Sequence, residues 1–448
     1  MKKFKINYYS NSCIYAEYLK NFDWFIFLDS CNDVSNFGRY DILSCNPNIK
    51  ITSYGKNINV QSNNLNSSFY DDPFEIIKKY HHTKEINKEF PFSKGLMGYF
   101  GYEALDSSTD SLDEKIFPNI AVGFYDWAVI VDHEKRESWI VYDKKNSLID
   151  YLSTKFLSKN LSIKQDYNNI FYNFEKNTSK EKYMTDVKTI KSYIKNGDCY
   201  QVNYSQNFTC KYDAEPWNIY KDIRNINPAP YSTFFSFNDM YIISSSPERF
   251  ISTRNGIVET KPIKGTLKRL KDKILDDKQI DLLKNDEKNR AENLMIVDLL
   301  RNDLSKCCKL NSVKVDKLFD IESYASVHHM VSTISGELEN NMNSLDILKA
   351  CFPGGSITGA PKQRSMEIIK ELERRDRNIY CGSVGYIDEN NTMDTNICIR
   401  TIMLEKNSLS FSAGGGIVHD SSPTDEYLES LEKVSKFLKY FSNGEFKW

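Results

Sequence analysis

Two periods of apolar positions divide the chain. In residues 1–150 apolar side chains alternate or form short uninterrupted runs rich in aromatic and β-branched residues: WFIFLDS (24–30), YDILSC (40–45), GLMGYFGYE (95–103), AVGFYDWAVIVD (121–132) and ESWIVYD (137–143). Such runs predict strands broken by polar turns. One helix is expected over DDPFEIIKKYHH (71–82). Between about 150 and 180 the pattern degrades into Asn, Lys and Ser around isolated aromatics, which reads as a linker. The expected organisation is therefore a β-rich region 1–165 followed by a second region 180–448.

In the second region Met184, Val187, Ile190 and Ile194 recur at helical spacing and stop at Gly197, a suitable C-terminal cap. YQVNYSQNFTC (200–210) then alternates as a strand, PWNIYKDIRNIN (216–227) reads as a helix, and two apolar strands follow. Asn255-Gly256 is a strong hairpin signal. Long helices are predicted at about 275–304, 361–376 and 422–441, with strands at 381–388, 393–404 and 408–417. No sustained strand-helix alternation of the doubly wound kind appears. The pattern predicts an α+β fold of large antiparallel β-sheets with helices on the outside.

Composition narrows this picture. At 448 residues, with 40% hydrophobic and 13% aromatic content, the chain can fill two or three domains or one large core, and disorder as its main state is excluded. Its 59 basic and 61 acidic residues leave a net charge of -2, so no global field holds a polyanion and nucleic acid is not an expected partner. No apolar run approaches membrane-spanning length, and the opening MKKFKINYYSNSC has no apolar stretch behind its lysines. The reading is a soluble, cytoplasmic protein. Ten scattered cysteines show no metal-finger spacing.

Several constellations could carry chemistry. On a helical wheel Glu426, Glu429 and Lys433 share one narrow stripe beside an apolar arc of Leu428, Leu431, Val434 and Leu438. That stripe is either a solvated edge or part of a site. Glu292 projects on the face of Met295, Ile296 and Leu299, where a buried acid needs either an arginine or a divalent ion. Mg²⁺, held by one or two carboxylates plus substrate and water, suits Glu292 and Glu429 jointly. Glycine clusters at CFPGGSITGAPKQR (351–364) and SAGGGIVHD (412–420) read as tight turns or as anion cradles, the first with Pro361 opening a helix. Arg400 would add a bidentate fork beside the second. Lys264, in ETKPIKGT, is either an exposed strand-end lysine or, if buried, a neutral amine nucleophile. Glu248 lies on the partner arm, and with a strict two-residue turn it faces away from Lys264. A three-residue loop or one bulge is required to bring them to a common face.

SSPERF, PIKGT, ENLMIVDLLRNDL, SITGAPKQRSME, GYIDENNTMDTNICIRT and AGGGIVHDSSPTDEYLESLEK, in this order between residues 245 and 433, resemble the chorismate-utilising enzymes. DWFIFLDS followed by GRYDILSCNP resembles the amino-terminal half of the component I members. PIKGT, with lysine at 264, resembles the aminodeoxychorismate-forming branch, whereas anthranilate-forming members resemble PIAGT. Gln201, where isochorismate-forming members have a water-activating lysine, resembles the ammonia users. The resemblance implies Mg²⁺ held by Glu292 and Glu429 with Glu426 close by. It implies chorismate bound by Arg400, Lys433, Tyr386, His329, Thr358, Gly359, the amides of Gly414, Gly415 and Gly416, and Gln201. It further implies Glu248 as the acid, a covalent Lys264 adduct at C2, and ammonia addition at C4. No GxCxG nucleophile motif is present, so ammonia is expected from solution or from a separate glutamine amidotransferase subunit in a heterodimer. Resemblance to component I enzymes also implies a tryptophan pocket at Ser30, Pro230 and Tyr231. The competing readings are an anthranilate-forming component I and a catalytically silent subunit that senses an amino acid.

Overall fold

A computed structural model describes residues 1–31, 38–62, 65–83, 89–106, 117–158, 161–163, 169–324 and 327–446. Within them the apolar and alternating runs are strands of two twelve-stranded sheets, paired antiparallel throughout. Each sheet joins strands from both halves of the chain. In the first sheet Ile26–Asp29 pairs with Tyr231–Phe237, Asp29 standing opposite Ser232. In the second, Gly95–Phe100 pairs with Ser383–Asp388, Met97 opposite Tyr386. Regions 1–165 and 180–448 thus meet inside both sheets. The stretch 150–180 expected as a linker instead holds most of helix Ser147–Lys155 and the whole of strand Ile170–Lys176, which pairs into the first sheet, and its residues 159–160 and 164–168 lie outside the described residues.

The sheets stack face to face, with Trp24, Met97, Tyr99, Phe235 and Phe237 in the core between them. The outer face of the first sheet is covered by helices that include Lys180–Lys195, Pro216–Ile226 and Pro423–Glu432. Glu287–Ser305 and Ser344–Cys351 cover part of the second. Strands covered on both sides lose their alternation, which is why Gly95–Phe100 and Trp127–Asp132 are buried at every residue and read as continuous apolar runs. Each large apolar side chain removed from water there contributes about 1.5–3 kcal/mol.

The Asn255-Gly256 turn is the two-residue hairpin that the sequence predicts: φ is +54° and +77°, and Arg254 faces Ile257. Three elements differ from expectation. The helix expected at 275–304 is two, Lys273–Lys284 and Glu287–Ser305, because Asp286 accepts from the Asn289 N–H at 2.7 Å and caps a new start. The helix expected at 422–441 breaks after Pro423–Glu432 and resumes at Ser435–Phe441, and the first piece buries Glu426, Tyr427, Ser430 and Leu431, so that Leu428 is exposed rather than in the buried arc. The strand expected at 393–404 is Met393–Asn396 in the second sheet and Thr401–Glu405 in the first, the chain crossing between them with Arg400 at φ +50°. No helix among the described residues is long and apolar enough to cross a membrane.

Candidate active site

Groups that carry charge but lack protein partners collect where Ile263–Lys268 of the second sheet approaches the glycine-rich end of Ser408–Ile417 in the first. Glu248 is anchored by its backbone: its N–H donates to Ser246 Oγ at 3.2 Å and its carbonyl accepts from the Ile397 N–H at 3.0 Å. The side chain is buried, and Ser356 Oγ donates to Oε1 at 2.9 Å. Burial pushes the Glu248 carboxyl up to about 7, against the opposing pull of the Ser356 hydrogen bond, the nearby Lys264 charge and the Ile263 N–H.

Lys264 reaches the same space through a bulge. Ile263 faces Val331 and Thr266 faces His329, so Lys264 and Gly265 together span the single residue Met330. Gly265 has φ +85°, and a Cβ there would lie 2.9 Å from side-chain atoms of both Asn289 and Leu283. The hairpin turn itself is strict, and the irregularities lie on its two arms: this bulge, and a register shift between Arg249 and Ile251 against Asn396 and Thr395. Lys264 is half-buried and forms no ion pair among the described residues, while its charge acts on both Glu248 and Glu429.

Helix Pro423–Glu432 supplies the acids. Glu426 is buried and accepts from Ser421 Oγ at 2.6 Å; burial and then the like charge of Glu429 raise its pKa. Glu429, half exposed, pairs with Lys433 Nζ at 2.7 Å, and that charge holds its carboxyl below the usual range. Lys433 Nζ also donates to the Gly414 carbonyl at 3.0 Å. A Cβ at Gly415 would stand 3.2 Å from Glu426 Oε2 and 3.3 Å from Lys433 Nζ, so the acids close on a strand that has room for no side chain. Glu292 is half-buried with no hydrogen-bond or ion-pair partner among the described residues; no arginine neutralises it. Among those residues, no three acidic, histidine or cysteine side chains converge as a ready-made chelate. What the chain offers is an incomplete donor set, Glu426 and Glu429 from one helix and Glu292 from another.

The opposite wall is cationic and polar. Arg400 accepts from the Ser245 N–H at its carbonyl at 3.0 Å, but its guanidinium has no protein partner among the described residues, and burial lowers its pKa. His329 Nδ1 hydrogen-bonds Thr266 Oγ1 at 2.7 Å, and Tyr324 stands edge-on to the ring. Burial and then the Arg400 charge pull His329 down to about 4, so it is neutral at physiological pH. Gly414–Gly416 pair with Asn203–Ser205, while pairing with Thr401–Glu405 stops at Phe411, so the other edge of the glycine run has no strand partner among the described residues. Gln201 is fully buried with neither amide atom hydrogen-bonded, and it lies against Gly416. Gly359 pairs with Val202 and buried Thr358 donates to the Gly354 carbonyl at 3.0 Å. Arg377, fully buried, fastens these pieces by donating to the carbonyls of Ile357 at 3.1 Å and Asn203 at 2.8 Å.

Residues 24–439 match the model of a protein family described as chorismate binding enzyme. The chain belongs to that family. It is 40% identical over 435 residues to aminodeoxychorismate synthase component 1 of Escherichia coli (strain K12), covering 95% of each chain. It is 34% identical to anthranilate synthase component 1 of Aquifex aeolicus (strain VF5), covering 94% of this chain and 90% of that one. The crystal structure of anthranilate synthase component I from Streptococcus pneumoniae TIGR4 superposes with a TM-score of 0.76 at 31% identity, covering 88% of this chain and 91% of that one.

One expectation for this chorismate binding enzyme is corrected. Tyr386 is not in the Lys264 cleft: the strand places its side chain on the inner face, in a separate cavity of about 460 Å³ between the sheets. Ser30, Pro230 and Tyr231 line that same cavity, and Asp41 holds Ser30 by accepting from its N–H at 2.8 Å and its Oγ at 2.7 Å. Of the two readings of the 351–364 glycine cluster, the packing of Gly354 and Gly355 favours the tight turn. Pro361 is the N-cap rather than the first helical residue, and Cβ atoms at Gly354 and Gly355 would meet Ile397 and Leu299 side chains at 2.8 Å. These glycines pack a turn onto apolar side chains and deliver Ser356 to Glu248. Sequence reasoning passes over Ser356, Thr266 and Arg377, and only the serine's place directly after a glycine pair offered a signal.

Proposed function

We propose that this chain is the chorismate-aminating component of an aminodeoxychorismate synthase. It converts chorismate and ammonia to 4-amino-4-deoxychorismate and water, supplying a precursor of 4-aminobenzoate and folate. The observation that carries this reading is the Lys264 bulge beside buried Glu248: an amine shares one cleft with a carboxyl whose pKa burial raises to about 7.

The unpartnered Arg400 guanidinium binds a carboxylate of chorismate in a bidentate fork, with Lys433 and the open glycine edge beside it. Neutral His329 and the unsatisfied Gln201 amide hydrogen-bond the remaining polar groups of the substrate. Glu292, Glu426 and Glu429 would hold Mg²⁺, which when bound neutralises the ring carboxylate and draws electron density from the ring. Lys264, as the free amine, attacks C2 while the ring double bonds shift and the 4-hydroxyl departs, leaving as water with the proton of Glu248. Ammonia then adds at C4, the double bonds return, and the C2–N bond electrons go back to Lys264. Ionised Glu248 takes a proton from the new ammonium, which restores both residues.

Ammonia comes from solution or from a glutamine amidotransferase subunit, the second component that the relatives' designation as component 1 implies. The interlayer cavity, with Tyr231 and Tyr386 offering ring faces and Ser30 a held hydroxyl, suits tryptophan.

Product analysis of Lys264→Ala with chorismate, ammonium salt and Mg²⁺ tests the mechanism. Without the amine occupying C2, aminodeoxychorismate formation is expected to be mostly lost and some ammonia to add at C2, giving aminodeoxyisochorismate or anthranilate. Wild-type product at undiminished rate would overturn the covalent role of Lys264.

A further inference from the structure

Glu248 must be a proton donor in one half of the proposed cycle and an acceptor in the other, and a buried carboxyl needs a partner that serves both states. An ionised carboxylate requires a donor, whereas a protonated one carries an O–H that itself requires an acceptor. A backbone N–H or a lysine ammonium satisfies only the first. A hydroxyl satisfies both by rotating.

The groups that face Glu248 are the Ile263 N–H and Lys264 from its own hairpin and the adjoining strand, Lys433 from the end of the acidic helix, and Ser356 from the turn after Gly354-Gly355. The Ile263 N–H and Lys433 only donate, and the lone pair of Lys264, as the free amine, is committed to attack at C2. Ser356 Oγ, at 2.9 Å from Oε1 and 9% exposed, is the amphoteric one. The turn's construction suits this task. Side chains at Gly354 and Gly355 would collide with Ile397 and Leu299, and a shift of the turn would carry the hydroxyl off the carboxylate. Ile397 also donates its N–H to the Glu248 carbonyl, so one residue braces both partners.

We propose that Ser356 is a positioning residue for the reaction, its hydroxyl donating to Glu248 when ionised and accepting from it when protonated, so that one fixed carboxyl rotamer serves both half-reactions. This rests on the acid and base role of Glu248 given above.

The test is the pH dependence of kcat/KM for the chain with chorismate, ammonium salt and Mg²⁺, followed on the alkaline limb, where activity falls as Glu248 loses its proton. Losing a donor to the carboxylate disfavours the ionised form, so in Ser356→Ala this limb is expected to move up by about one pH unit. kcat should fall by about tenfold with KM for chorismate nearly unchanged, and Ser356→Thr should restore both. Should Ser356→Ala melt far below the wild type, Ser356→Cys replaces it, with a smaller upward movement expected from its weaker donor. An alkaline limb at the wild-type position in the folded Ala or Cys variant overturns the proposal. Glu248→Gln, measured in parallel, separates the two levels. If it retains wild-type turnover, the acid and base reading of Glu248 falls, and this inference with it. If it is inactive while Ser356→Ala keeps the wild-type limb, only the role of Ser356 falls.

Discussion

A buried carboxyl poised near 7 is a burden on the fold as well as a tool for it. Glu248 has an ordinary value of 4.5 and a folded value of about 7. Between those pH values the unfolded chain releases the proton while the folded protein keeps it, so stability falls as pH rises from 4.5 to 7 and stays lower above. The cost at high pH is about 3 kcal/mol. Glu248→Gln should therefore be inactive yet more stable than wild type at pH 8, the advantage fading toward pH 4.5; urea denaturation at both pH values measures it. Equal stability of the two proteins at pH 8 would contradict a burial-driven shift. Arg400 is the complementary case, a cation set into the wall without a protein partner. Arg400→Ala should leave the melting temperature near wild type but raise KM for chorismate by about ten- to a hundredfold, the value of a charge-assisted fork. An unchanged KM would remove it from the carboxylate site.

At the scale of elements, the site is assembled from irregularities: a bulge, a helix end, a glycine strand beyond its partner's last pair, and a crossing between sheets. Glu292→Gln and Glu429→Gln test the two helices together. Each removes a charge that the proposed Mg²⁺ balances, so both should abolish turnover in a folded protein, as read by activity against Mg²⁺ concentration and by circular dichroism. Full activity of both at saturating Mg²⁺ would contradict the assignment. Regular elements were legible in sequence because their signals are local: GLMGYF and WAVIVD as doubly covered strands, Asn255-Gly256 as a hairpin, Gly197 as the end of a helix. The bulge was legible only as a requirement, from the parity of Glu248 and Lys264. The switch of sheet between Asn396 and Thr401 was not legible, because no glycine or proline marks it and the backbone hydrogen bonds at the crossing, such as Ser245 N–H to the Arg400 carbonyl, come from residues distant in sequence. Tyr386 misled for a related reason: alternation separates the two faces of its strand without saying which cavity each one meets. Ser356 hid inside a turn whose glycines suggested anion binding, although their purpose is close packing.

Across the whole molecule, two sheets shared by both halves of the chain keep two cavities apart. Arg249 lines the interlayer cavity in an ion pair with Asp394 at 2.9 Å, and the preceding residue, Glu248, turns toward Ser356. Strand Arg249–Arg254 and the residue before it thus border both the interlayer cavity and the cleft proposed for chorismate. The central claim is that the Lys264 cleft directs ammonia to C4 of chorismate. It is tested most directly by incubating the isolated chain with chorismate, an ammonium salt and Mg²⁺ and identifying the product by mass spectrometry and NMR. The account predicts 4-amino-4-deoxychorismate with pyruvate still attached to the ring; anthranilate with released pyruvate, or no turnover at all, would contradict it.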